Sequence, residues 1–162
     1  MSKNIYNEYV IVTDDLNKTL KKCFMNHLVV YNYSLGILYE NPETVFNSLI
    51  KTVTRYIKDK KIEPIIFQPL TNEIYYQYKK FKRNIRVQKL ITDIQYFTFL
   101  SNGNKCKNLL INNEEMYISI NNFEGKILLD KPLPEILENS ITYINLSYSN
   151  MEDRYKLSIY ST

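Results

Sequence analysis

Between Tyr75 and Lys89 the chain sets five cations, Lys79, Lys82, Arg83, Arg86 and Lys89, at helical spacing among tyrosines. Residues three or four apart share one face of a helix. A row of cations one turn apart suits successive phosphates, and each phosphate neutralised releases condensed counterions. Tyr75, Tyr76 and Tyr78 add aromatic faces on which unpaired bases can stack, worth roughly 1–3 kcal/mol per base. Arg55 and Lys58, near the end of the preceding helical pattern, either extend this stripe or simply complement a helix dipole. The bland counterpart is a solvated lysine-rich face whose tyrosines belong to the core. The chemistry on offer is a non-covalent grip on a polyanion.

Groups for covalent chemistry are sparse. The single histidine, His27, falls inside a patterned apolar helix beside Leu28, where a structural role is expected. No His and carboxylate pair stands at a useful metal-binding spacing. The paired acids have local roles: Asp14-Asp15 opens a helix, Glu114-Glu115 sits in a turn, and Glu152-Asp153 sits at a hairpin tip. Two-metal chemistry needs carboxylates converging in a dry cleft. Serines occur without a nucleophile elbow or a base, and three glycines form no phosphate cradle. The expectation is a protein that is no enzyme, with no cofactor and no metal.

The charge distribution agrees with a grip. The net charge is +4, but residues 51–89 carry eleven basic against three acidic side chains, a local balance of +8. The flanking regions are slightly acidic, as expected when one lobe faces a polyanion. The 15 tyrosines and absent tryptophan fit an AT-rich coding bias. Cys23 and Cys106 lack metal spacing and read as reduced thiols. The polar N-terminus shows no signal peptide, and no apolar run approaches the roughly 20 residues of a membrane span. A monomer in the cytoplasm of a bacterial host cell, with no membrane partner, is expected.

The elements that must carry these groups follow from periodicity. Tyr6–Val12 alternates as a strand. Asp14-Asp15 then caps a long helix with Leu20, Phe24, Leu28, Tyr31, Leu35 and Leu38 on one face. Asn41-Pro42 ends it and starts a second helix with Val45, Leu49, Val53 and Tyr56 inward. Lys58–Pro69 reads as an extended connection, and a third helix begins at Thr71 with Ile74, Tyr78, Phe81 and Ile85 inward. Leu90, Ile94 and Phe97 continue that burial, in the same helix or in another after a bend. After the breaker Ser101–Asn104 the period becomes two. Leu109–Ile111, Met116–Ile120 and Lys126–Leu129 read as strands, with Phe123-Glu124-Gly125 as a turn. Ile141–Tyr148 and Tyr155–Tyr160 form a hairpin. The lone first strand is expected to pair with the late ones, giving an α+β fold: a β-barrel interrupted by a helical insertion.

These C-terminal strands have a family look. Gly125, the crossover Pro132-Leu133-Pro134, and Ile141, Ser147, Tyr155, Ser158 and Ile159 follow the pattern of the wedge domain of TnpB-type transposon nucleases, ancestors of type V CRISPR effectors. Val30-Tyr31-Asn32-Tyr33-Ser34-Leu35 is similar to a motif in the first helix of that family's recognition lobe. The chain departs from the pattern at Thr13 and Asp14, where the family usually has proline and a basic residue. The resemblance implies an oligonucleotide-binding-type barrel over 1–14 and 105–162, interrupted by a recognition-lobe-like insertion over 15–104. It implies a guide-like RNA as partner. The RuvC nuclease domain that the family places next does not follow before Thr162. The expected function is therefore a non-catalytic RNA-binding protein that inhibits or regulates an RNA-guided nuclease, as a phage-encoded anti-CRISPR protein does. Two alternatives stand beside it: a protein–protein blocker of a CRISPR effector, and a DNA-binding repressor of transposon origin.

Overall fold

The computed structural model describes residues 5–83, 96–100, 109–112, 115–120, 123–133 and 141–161. The leading aromatic segment forms β1 (Ile5–Val10), followed by three helices: α1 (Asp14–Glu40), α2 (Phe46–Asp59) and α3 (Phe67–Lys82). Six strands follow: β2 (Tyr96–Leu100), β3 (Leu109–Asn112), β4 (Glu115–Ile120), β5 (Phe123–Ile127), β6 (Ile141–Ser149) and β7 (Arg154–Ser161). The fold is α+β. The chain divides into two compact units, a strand unit of residues 1–21 with 95–162 and a helical unit of residues 22–94.

In the strand unit, β1 pairs antiparallel with β7, so the first strand does join the last ones, with Ile5 opposite Ser161 and Val10 opposite Lys156. The order is β1-β7-β6-β2 in one sheet and β3-β4-β5 in a second. Buried positions alternate with exposed ones along β4, where Met116, Ile118 and Ile120 point inward. That period-two burial is what makes the segment a strand. The two sheets touch through an isolated bridge between Ile11 and Leu129. Among the described residues, β2 and β3 each have one strand neighbour, so the expected closed barrel is not formed and two sheets stand in its place. A closed barrel requires every strand to be paired on both edges.

The corner between β1 and α1 holds this unit together. Ile11 donates its amide to the Tyr155 carbonyl (2.8 Å) and Val12 donates to Leu128 (2.8 Å). Thr13 Oγ1 accepts the Leu128 amide at 2.9 Å. Asn17, one turn into α1, donates through Nδ2 to the carbonyls of Ile11 (2.9 Å) and Thr13 (3.0 Å), and its Oδ1 accepts the Tyr155 amide at 2.7 Å. One amide side chain thereby joins three backbone groups; the Thr13 carbonyl also accepts the Asn17 backbone amide at 3.0 Å, so the Ile11 carbonyl and the Tyr155 amide are the two that depend on it.

In the helical unit, α2 buries Leu49, Val53 and Ile57 at a spacing of four. They join Val30, Tyr31, Leu35 and Leu38 of α1 and Leu70 and Ile74 of α3 in one cluster. His27 near the middle of α1 meets the head of α3, and Tyr39 meets Phe81 near the end of α3 at 5.5 Å. So α3 runs parallel to α1. Phe46 at the head of α2 packs on Tyr75 and Tyr78, so α2 runs antiparallel to both.

Several expectations shift. α2 starts at Phe46 and not at Pro42, because both the amide and the hydroxyl of Thr44 close a turn on the Asn41 carbonyl (3.1 and 2.7 Å). Val45 is consequently an exposed N-cap. α3 starts four residues earlier than Thr71. Pro69 falls in its first turn, where the missing amide hydrogen costs nothing. Phe97 lies in β2 opposite Leu146 instead of continuing a helix. Phe123–Gly125 belongs to β5, with Gly125 at φ 152, a backbone conformation that only glycine adopts freely. Leu90, Ile94 and Ile85 lie outside the described residues.

His27 is buried, and its Nε2 accepts the Ile66 amide at 2.9 Å. Burial pushes its pKa down from the ordinary 6.5 to about 3. The unfolded chain therefore takes up the proton first, and stability present above pH 6.5 is lost as pH falls toward 3. Urea unfolding should show a loss of about 2 kcal/mol between pH 7 and pH 5. His27→Gln should flatten that dependence, and an equally steep one would exclude His27 as its source. Asn17→Ala should cost about 2 kcal/mol, because it strands the Ile11 carbonyl and the Tyr155 amide. A change under 1 kcal/mol in the same measurement would contradict the role of the corner.

Candidate nucleic-acid interface

The cations that the sequence singles out divide between two ends of the helical unit. Lys79, Lys82 and Arg83 are exposed at the C-terminal end of α3, and Arg83 is its C-cap. Arg55 and Lys58 are exposed on α2. The head of α2 lies against the end of α3, so Arg55 and Lys58 stand nine and twelve residues farther along, about 14 and 18 Å at helical rise. The antiparallel pairing splits the predicted stripe. Arg86 and Lys89 lie outside the described residues.

What α3 assembles is a ladder of tyrosine–lysine pairs. Lys79 Nζ lies 5.2 Å from the Tyr75 ring centroid, Lys80 Nζ 4.3 Å from Tyr76, and Lys82 Nζ 5.4 Å from Tyr78. Each pair is spaced i, i+4, which stacks side chains one above the other on a helix. The tyrosines are those expected from the sequence, and Lys80 joins them from outside the predicted stripe. The run Tyr-Tyr-Gln-Tyr-Lys-Lys-Phe-Lys carries the signal, once pairs at a spacing of four are counted instead of cations alone.

The three rungs differ. Tyr75 and Tyr76 are 46% and 53% exposed. Tyr78 is half-buried and tilted against Phe46, with ring centroids 5.4 Å apart. Its lysine is committed as well: Lys82 Nζ donates to the Pro42 carbonyl at 2.7 Å. Phe46 also meets Tyr75 edge-on at 4.9 Å, fixing that ring from one side.

Among the described residues, the ion pairs are Lys126–Glu115, Arg154–Asp14 and Lys156–Glu8, all in the strand unit. None of the α3 cations is among them. Burial raises the pKa of Glu73 on the same helix, while a hydrogen bond from Gln77 and the charge of Lys80 work downward. Beneath this face Tyr31 is 2% exposed and its hydroxyl has no hydrogen-bond partner. Burial first, then Glu73 and Tyr76, raises its pKa. Among the described residues no three His, Cys, Asp or Glu side chains gather within reach of one metal ion. Among the described residues no helix is long and apolar enough to cross a membrane.

No known protein family and no curated protein matches the chain by sequence.

An orphaned buried hydroxyl is a cost that can be removed. Tyr31→Phe should leave the fold intact and stabilise it by up to about 1 kcal/mol in thermal or urea unfolding. A loss of more than 1 kcal/mol would mean that the hydroxyl has a partner in solution.

Proposed function

We propose that this protein is a non-catalytic RNA-binding protein that holds a guide-like RNA and thereby inhibits or regulates an RNA-guided nuclease. One observation carries the binding reading: Lys79, Lys80, Lys82 and Arg83 cluster at the end of α3, and no carboxylate forms an ion pair with any of them among the described residues. Cations at a helix C-terminus complement its dipole, but that requirement is about half an elementary charge. With Lys82 tied to the Pro42 carbonyl, three cations remain, which still exceed it several-fold, and the surplus suits phosphates.

The guide-like character and the nuclease connection rest on the resemblance to the TnpB-type wedge and recognition lobe. In that reading the strand unit is an oligonucleotide-binding-type barrel opened between β2 and β3. The run β3-β4-β5, the Ile11–Leu129 bridge and β1-β7-β6-β2 supports it.

Protein purified from a bacterial host at moderate salt should retain a discrete small RNA that sequencing identifies. Its affinity should fall steeply with salt, and Lys79→Glu with Arg83→Glu should reduce the log–log slope by about 1.5. Arg55→Glu with Lys58→Glu, at the other end of the helices, should leave affinity within about two-fold. Protein free of RNA that binds an assembled effector complex independently of salt would replace this reading with the protein–protein blocker. Preference for duplex DNA of defined sequence would replace it with the repressor.

A further inference from the structure

We infer that the α3 ladder takes an unpaired strand, with two bases displacing Lys79 and Lys80 from the faces of Tyr75 and Tyr76 while the released ammonium groups move to the flanking phosphates. The inference rests on the RNA-binding reading and specifies which form of nucleic acid the site accepts and by which residues.

The three rungs are chemically alike but not equally available. Tyr78 is packed on Phe46, and Lys82 is tied to the Pro42 carbonyl, so the third rung is part of the scaffold. Tyr75 and Tyr76 are about half exposed, and their lysines have no ion-pair partner among the described residues. Adjacent residues on a helix diverge by about 100°, so the two rings present separate faces instead of one slot. Each face is occupied by a cation over the ring, and Lys80 also feels the charge of Glu73.

Magnitudes decide what happens when a strand arrives. An exposed cation–π contact is worth about 0.5–1 kcal/mol. A stacked base is worth roughly 1–3 kcal/mol by the same kind of substitution. The base therefore wins the ring, and the displaced lysine gains a phosphate a few ångströms away. No charge is lost in the exchange. A duplex cannot make it, because its bases are already stacked on both faces and paired at their edges. Duplex binding at this site is limited to phosphate contact.

The test compares a 12-nucleotide unstructured RNA with the same sequence as an RNA duplex, by fluorescence anisotropy on the full chain across a salt series. Single-stranded RNA should bind at least ten-fold tighter. Tyr75→Leu with Tyr76→Leu should weaken it ten- to a hundred-fold with the salt slope unchanged, whereas Tyr75→Phe with Tyr76→Phe should retain wild-type affinity. Both tyrosines are exposed, and circular dichroism of each variant checks the fold. Duplex binding as tight as single-strand binding, or a leucine variant of unchanged affinity, overturns this inference and leaves the RNA-binding reading standing. Binding to neither probe overturns both.

Discussion

The surface that the helical unit offers to solvent depends on where α3 begins, and one buried hydrogen bond decides that. Ile66 precedes an α3 whose head has no side-chain cap, and its amide ends on Nε2 of His27. A buried amide without a partner costs about 1–3 kcal/mol, so this contact holds the head of α3 against α1. It requires a neutral imidazole, because a protonated ring has no lone pair to offer. Burial supplies that neutrality by penalising the charged form. From this anchor Leu70 and Ile74 enter the core, and the helical period turns Tyr75, Tyr76, Lys79 and Arg83 outward.

The strand unit uses the same device at a different place. Its two sheets approach at Val10–Thr13, where regular ladders end and backbone groups would be left over. Asn17 is long enough to reach two carbonyls and an amide at once, because its side chain is both donor and acceptor. Arg154 reinforces the corner from the surface, bonding the Val12 carbonyl and pairing with Asp14. Both units thus rest on a polar side chain of α1 that completes backbone hydrogen bonding elsewhere in the chain.

The basic end of α3 is ordered by its own side chains. In the free protein its lysines complement the helix dipole and lie over tyrosine rings. A lysine held over a ring has fewer rotamers than a free one, and ordering a free lysine can cost up to about 2 kcal/mol. The cations are therefore partly held in place. Phe46 restrains Tyr75 from the side, so the aromatic partner is arranged too. Lys82 differs from Lys79 and Lys80, because its ammonium also donates to the Pro42 carbonyl.

Periodicity alone determined that the chain is an α+β protein with helices between a first strand and late ones. It also determined that Leu49, Val53 and Ile74 face inward and that cations and tyrosines share the third helix. These are local properties, set by the repeat of 3.6 or 2.0 residues and by the chemistry of each side chain. The helix starts were less legible. Thr44 and Pro69 obey turn and first-turn chemistry, which overrides the proline signals around them. Phe97 and Phe123 stand in strands contrary to expectation because a short apolar run has no period of its own, and cross-strand partners decide its state. The sequence could not tell that Arg55 and Lys58 stand apart from Lys79 and Arg83, nor that Tyr75 and Tyr76 are open while Tyr78 is closed. Those distinctions arise from the direction in which helices pack and from the position of Phe46 on α2, contacts between residues far apart in the chain that only tertiary structure creates.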